Sequence, residues 1–381
     1  MDKYTRHKRV WHILYALIHR PFACLLNMSW EVCRVEGPCI VIPNHVTAID
    51  PLMVAMSFPD RPLYFVASEH LFRKGLISAA LNWLVEPIPR KKASSGVDTV
   101  MAVLRHLRSG RSVCLFAEGE ASWNGRSGEI FPATGKMVRR SGATLITYRL
   151  EGAYLTDPRW SRFLHRGRIY GHAVGVYPPE QLKAMSGEEI DRLINGDIRE
   201  DAWQRQETEH RRFKNRRRAE NLETALFMCP QCGRIGSLRS RGCRLECSCG
   251  LDLEYTEEGG FEPPRPFENI ALWDDWQHEK LKTGDYPHEG ELLFSDGDMS
   301  LVEIEEGHRQ RQLGRGELRQ YPRYLSCAGY DFLLDSISDM AMVQTGVLLF
   351  SREGKYYEIR TDKARCLRKY LAVWKNSRQG R

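Results

Sequence analysis

A repeated change of hydrophobic period along residues 39–150 constrains the fold more than any other feature of the chain. The apolar run Cys39–Val41 ends at Pro43, and a second apolar segment begins after Asp50-Pro51, which reads as strand, loop, helix. Val97, Val100, Met101, Leu104 and Leu107 then recur at helical spacing as far as Gly110, and Ser112–Phe116 follows as a buried strand. Lys136–Ser141 reads as a short helix stopped by Gly142, and Ala143–Leu150 as a strand rich in β-branched and aromatic residues. Strands alternating with helices predict an α/β domain, placed here at residues 31–180.

The segments on either side differ in character. The first ten residues are basic, and the stretch Val10–Trp30 is apolar but interrupted by His12, His19, Arg20 and Pro21, so neither a membrane span nor a cleavable signal is expected. Val10, Ile13, Leu14, Leu17 and Ile18 share one helical face, with Trp11 and Tyr15 beside them. Residues 1–30 are therefore expected to form an interfacial helix on an anionic membrane surface, with a core-packing helix as the other reading of the same stripe. That places the protein peripherally on the cytoplasmic face of the cell membrane. After the α/β domain, Ile190, Leu193, Ile194 and Ile198 predict a helical connector over residues 181–226. The connector contains the basic run Arg211–Arg218, which suits either an anionic partner or a solvated helix face.

A chain of 381 residues exceeds what one core usually serves, and two further regions are legible. Cys229 and Cys232 are followed by Cys247 and Cys249, with Gly233 and Gly250 allowing each knuckle to turn. Four thiolates at this spacing suit a tetrahedral structural Zn2+ with no open coordination position, so residues 227–260 are expected to form a zinc ribbon, with Cys243 as a spare ligand. Pro263-Pro264 then marks a linker. Beyond it, runs such as Gly290–Asp296, Val347–Arg352 and Lys355–Arg360 alternate apolar and polar residues. With a final helix over Lys363–Trp374, residues 261–381 predict a small β-rich domain whose layout resembles a pleckstrin-homology-like barrel. The net charge of +7 suits an anionic partner: phospholipid, phosphorylated substrate, coenzyme A or nucleic acid. The ribbon lacks the aromatic and basic interleaving that base stacking uses, so nucleic acid is not expected, although a nucleic-acid-binding ribbon protein is the rival reading of a different class.

The chemistry concentrates in Pro43-Asn44-His45-Val46-Thr47-Ala48-Ile49-Asp50-Pro51, directly after the first predicted strand. His45 falls in the loop, and Asp50-Pro51 reads as the N-cap and first residue of the next helix. An imidazole with a carboxylate in reach can serve as a general base with its orienting partner, or be a structural histidine beside a capping residue. Spacing alone leaves both open.

Asn-His with an aspartate five residues after the histidine resembles the first signature block of the glycerolipid acyltransferases of the 1-acylglycerol-3-phosphate acyltransferase type. Glu86-Pro87-Ile88-Pro89-Arg90 resembles the second block, and Phe116-Ala117-Glu118-Gly119-Glu120-Ala121-Ser122 the third. The family usually spells the third Phe-Pro-Glu-Gly-Thr-Arg-Ser, so one cation is missing here; Arg126 and Lys136 are candidates to replace it. Thr144–Arg149 occupies the place of the fourth block without its prolines. The resemblance covers residues 30–180 and implies a mixed sheet with helices, His45 and Asp50 as catalytic residues, and Asn44, Arg90, Glu118 and Gly119 as substrate-binding residues; Lys91 beside Arg90 and Arg126 are added to that set for their charge. It further implies acyl transfer from acyl-CoA or acyl carrier protein to the free hydroxyl of lysophosphatidic acid, making phosphatidic acid. The altered third block also admits another lysophospholipid or a lyso-aminolipid as acceptor, and a silent lipid-binding scaffold is a third reading.

Overall fold

The computed structural model describes residues 3–68, 86–90, 96–287, 290–305 and 309–379. It divides into two compact units, the first comprising Met1–Arg159 and His165–Phe213, the second Trp160–Leu164 and Lys214–Arg381.

The first unit is a mixed α/β layer structure. Strands β1 (Met28–Trp30), β2 (Cys39–Pro43), β3 (Leu63–Ser68), β4 (Ile88–Arg90), β5 (Ser112–Cys114), β6 (Thr144–Glu151) and β7 (Ile169–Tyr177) form one sheet in the order β1-β7-β6-β2-β5-β3-β4. Every neighbouring pair is parallel except β6 with β7. β2 is buried at all five positions, as a central strand covered on both faces must be. On one face Ile40, Ile42, Tyr64 and Val113 pack against Val103, Leu104 and Leu107 of the helix Val97–Arg108 and Met137 and Val138 of the helix Thr134–Ser141. The neighbouring residue Phe65 points to the other face, where it meets the N-terminal helix cluster, as the pleat of β3 requires.

Three expectations change here. The first is the independence of residues 1–30. Helix α1 spans Lys3–Leu26 and belongs to the first unit: Trp11 packs with Ala55 and Met56, its Nε1 donates to Phe58 O at 2.8 Å, and Tyr15, Ile18 and Phe22 lie along the same contact. The predicted stripe therefore splits. Ile18 lies on the packed face, whereas Ile13 and Leu17 are 62% and 67% exposed. Residues 10–18 are apolar nearly all round, so periodicity could not choose the inward face; the bulkier aromatics Trp11, Tyr15 and Phe22 bury more area and decide it.

The second is the connector. The helix Gly187–Ile198 places Ile190, Ile194 and Ile198 in the same core as the sheet, so these residues complete the first unit, which extends to Phe213. The approach is close: a Cβ at Gly135 would lie 2.1 Å from Gly187 O. Three cations of the basic run engage carboxylates, Arg211 with Glu209, Arg217 with Glu220 and Arg218 with Glu254.

In the second unit, β8 (Leu238–Arg241), β9 (Arg244–Cys247), β10 (Asp252–Tyr255) and β11 (Phe261–Glu262) form a small antiparallel sheet. A second antiparallel sheet of seven strands has the order β15-β14-β13-β12-β18-β17-β16, with β12 at Phe294–Ile304, β13 at Gln310–Gln320, β14 at Tyr324–Cys327, β15 at Tyr330–Leu333, β16 at Ile337–Val343, β17 at Val347–Arg352 and β18 at Lys355–Arg360. The third change is the terminal helix, which runs Arg368–Gln379 instead of Lys363–Trp374. Leu367 and Leu371 are buried as expected, but residues before Leu367 pack as irregular chain, with Cys366 buried against Ala225. Asp274 of the helix Ile270–Thr283 is buried and grips Arg368 through two bonds of 2.9 and 3.1 Å, and this guanidinium holds its carboxyl well below the usual carboxylate range. No described helix is long and apolar enough to cross a membrane.

Candidate active site and metal centre

β2, β5, β3 and β4 are parallel, so the loops leaving their C-terminal ends lie along one edge of the sheet, where open α/β sheets bind ligands. His45 follows β2, the Phe116–Ser122 loop follows β5, and Arg90 ends β4.

His45 Nδ1 bonds Asp50 Oδ2 at 2.8 Å. The same oxygen accepts Val46 N at 2.7 Å and Thr47 N at 3.0 Å, and Oδ1 accepts the Thr47 hydroxyl at 2.9 Å. Asp50 is fully buried and acts as acceptor throughout, so in the neutral imidazole Nδ1 carries the hydrogen and Nε2 the lone pair. Among the described residues Nε2 has no hydrogen-bond partner. Phe116 covers one ring face, centroid to centroid 4.4 Å. Asp50 is not the N-cap expected: Ile49 takes that place, Asp50 is the first helical residue of α2 (Asp50–Ala55), and its side chain folds back to tie the 45–47 loop instead of capping the helix. That frees the carboxylate for the imidazole, because the helix end makes no demand on it.

Glu118 holds the two loops together. Its Oε1 accepts His45 N at 2.7 Å and its Oε2 accepts Gly128 N at 2.6 Å. Burial pushes its carboxyl up to about 8, against the two N–H donors that favour the anion. Glu118 thus positions the His45 backbone and has both oxygens engaged. Asn44 is corrected likewise: it is fully buried, and its amide exchanges bonds of 3.1 and 2.7 Å with the Leu150 main chain, so it locks β2 to β6 and does not face substrate.

Arg90 passes beside the third-block loop. Its guanidinium lies 4.3 Å from the Phe131 ring centroid, and a Cβ at Gly119, where φ is +76°, would meet Phe131 at 2.2 Å and Arg90 Nη1 at 3.2 Å. Glycine at 119 therefore serves both the left-handed turn and the close passage of Arg90. Lys91 lies outside the described residues. Arg126 is not a free phosphate contact; its Nε binds Asp201 at 3.1 Å, and Lys136 sits exposed on its helix. A second cation at the third-block loop is Arg159, which donates to Glu120 at 2.9 Å and Ala121 O at 3.1 Å while stacking 4.3 Å over Trp123.

Sequence reasoning missed Phe131, Arg159 and Asp157. Phe131 is 43% exposed, and neither it nor Arg159 carried a sequence signal. Asp157 carried none either; burial, and then the Asp50 charge, raise its carboxyl to about 6.

Cys229, Cys232, Cys247 and Cys249 converge. Cys229 and Cys249 Sγ are 3.6 Å apart, Cys232 and Cys247 Sγ 3.9 Å, and all four sulfurs lie within 4.8 Å of one another. A tetrahedral ion with metal–sulfur bonds of about 2.3 Å separates its sulfurs by about 3.8 Å, whereas a disulfide needs about 2.05 Å. The set therefore fits a metal ion and not two disulfides. Cys243 stands outside this group.

Residues 27–151 match the family model described as Acyltransferase. Over 139 residues the chain is 24% identical to the 1-acyl-sn-glycerol-3-phosphate acyltransferase of Borreliella burgdorferi, covering 36% of this chain and 52% of that protein. The chain thus spans about half the length of that curated relative. The solved 1-acyl-sn-glycerophosphate (LPA) acyltransferase PlsC of Thermotoga maritima aligns with TM-score 0.43 and 16% identity, over 52% of this chain and 80% of that one.

Proposed function

We propose that the chain is an O-acyltransferase that moves a fatty acyl chain from acyl-CoA or acyl carrier protein to the free hydroxyl of lysophosphatidic acid, making phosphatidic acid. The observation that carries this reading is His45, with Nδ1 bound to Asp50 and Nε2 unbonded among the described residues, at the strand ends that also bear Arg90. Nε2 takes the proton of the acceptor hydroxyl as its oxygen attacks the thioester carbonyl. The new C–O bond forms, the C–S bond breaks, and the thiolate leaves with the proton from the imidazolium. No enzyme ester is needed. Asp50 stabilises the imidazolium between the two steps, and Arg90 holds the acceptor phosphate by charge-assisted hydrogen bonds.

The exposed face of α1 bears Ile13 and Leu17 with Arg9 and Arg20 beside them, a pattern that suits peripheral binding to the anionic cytoplasmic face of the cell membrane. The Cys229, Cys232, Cys247 and Cys249 set suits structural Zn2+, which would hold the small sheet of the second unit together and take no part in acyl transfer. Glu120, bound to Arg159 where the family usually has a threonine, favours a second reading in which the acceptor is another lysophospholipid or a lyso-aminolipid.

The test is acyl transfer from each donor to lysophosphatidic acid by wild type, His45→Ala and Cys232→Ser. Loss of turnover in a folded His45→Ala chain supports the base; turnover within a few-fold of wild type would overturn it. Activity on other lysolipids but not on lysophosphatidic acid selects the second reading.

A further inference from the structure

The second unit holds a groove of about 1270 Å³ whose lining residues all belong to that unit. This is ample for a small-molecule ligand. Its floor is fixed by strand register. β13 sets Arg315 opposite Ser300 of β12, β12 sets Ser300 opposite Arg360 of β18, and β18 sets Arg360 opposite Val347 of β17. Residues directly opposite one another share a face of the sheet, so these four make one row across four strands, and all four line the groove. With strands about 4.8 Å apart, two arginine stems stand roughly 10 Å apart with a hydroxyl between them, a gap that two guanidinium groups reaching inward can close on one oxyanion.

The charges favour an anion. Arg162 and Lys363 also line the groove, against Asp298 and Asp362. Arg360 is anchored by an ion pair with Glu358, which accepts from Nε at 2.8 Å and from Nη2, and by Gln310, 3.0 Å from Nη1, so its direction is set before any ligand arrives and Glu358 offsets its charge. Arg315 and Lys363 make no ion pair among the described residues, and both are exposed. Two guanidinium groups closing on one small group suit a doubly charged oxyanion better than a single carboxylate.

We propose that this groove is a binding site for a phosphate monoester, held between Arg315 and Arg360 with the Ser300 hydroxyl beneath it. The same phosphate chemistry is offered by a soluble sugar or polyol phosphate and by a lipid headgroup. The site lies outside the acyltransferase-family domain and does not depend on the activity proposed for it.

The test uses the full chain in two arms. In the first, sn-glycerol 3-phosphate is titrated calorimetrically into wild type, Arg90→Ala, the double variant Arg315→Ser/Lys363→Ser, and Lys363→Glu alone, with thermal melting as the check on folding. In the second, the chain carrying Ile13→Asp and Leu17→Asp is floated with phosphatidylcholine vesicles with and without phosphatidic acid, and again with the double groove substitution added. The proposal expects binding in at least one arm, weakened tenfold or more by the groove substitutions and retained in Arg90→Ala. Lys363→Glu, which lies beyond the end of β18, keeps the test valid if the double variant unfolds. Binding in neither arm, binding indifferent to the groove substitutions, or loss in Arg90→Ala would overturn it. So would retention of single-stranded RNA that the groove substitutions abolish while neither phosphate probe binds.

Discussion

At His45 the chemistry depends on which ring nitrogen carries the proton, and Asp50 decides it by bonding Nδ1 while two backbone N–H groups hold the same carboxylate oxygen in place. Glu118 performs the matching task for the main chain, and its raised carboxyl makes stability depend on pH. The folded group keeps a proton from its ordinary 4.5 up to about 8, while the unfolded group has released it. Unfolding free energy should therefore fall as pH rises through that window, with a slope of up to about 1.4 kcal/mol per pH unit from this residue. Glu118→Gln removes that slope and leaves one N–H without an acceptor, costing about 1–3 kcal/mol, which chemical denaturation between pH 5 and 8 reads directly. Phe131 supports Arg90 through its ring face. Phe131→Leu is expected to raise the acceptor KM several-fold with little change in kcat, and Phe131→Tyr to restore it; a loss confined to kcat would deny Phe131 this positioning part.

Helix α1 is apolar on two sides, and each side has its own consequence. Trp11, buried with Ala55 and Met56, anchors it to the sheet layer, so Trp11→Ala should lower stability by about 3–5 kcal/mol in chemical denaturation. Ile13 and Leu17 are exposed, and removing them should leave the melting temperature unchanged. Ile13→Asp with Leu17→Asp is expected to abolish cosedimentation with phosphatidylglycerol vesicles, whose phosphodiester headgroup is not the monoester proposed for the groove, while turnover on a soluble short-chain acceptor survives. Vesicle binding that persists would show that α1 is not the membrane-facing element. The helix Gly187–Ile198 teaches the same lesson from the other side, because its isoleucine stripe read correctly as a helix yet its destination, the core of the first unit, was invisible.

Across the whole molecule, the cysteine set and the proposed base belong to different compact units. Four thiolates leave a bound ion no open position, so metal removal should act on folding alone. Chelation with a strong zinc ligand is expected to lower the melting transition of the second unit by many degrees and to release one zinc per chain. Near-complete loss of acyl transfer on a chelated but folded first unit would contradict that division.

Sequence by itself determined the features set by local chemistry and spacing: the alternation of strand and helix, the knuckle cysteines, and His45 with Asp50. Each follows from a short stretch of chain whose neighbours along the backbone already specify it. Only the tertiary structure decided what depends on partners distant in sequence. Asn44 and Glu118 look like site residues in their motifs, but the Leu150 main chain and the Gly128 N–H claim their polar atoms. Arg126 is claimed by Asp201, 75 residues away, and Arg159 arrives on the third-block loop from 39 residues beyond Glu120. The row Arg315, Ser300, Arg360 exists only because three strands adopt one register, which no local pattern encodes. Local patterning fixes which side chains a segment offers, whereas the fold, through burial and long-range hydrogen bonds, fixes which of them remain available to a ligand.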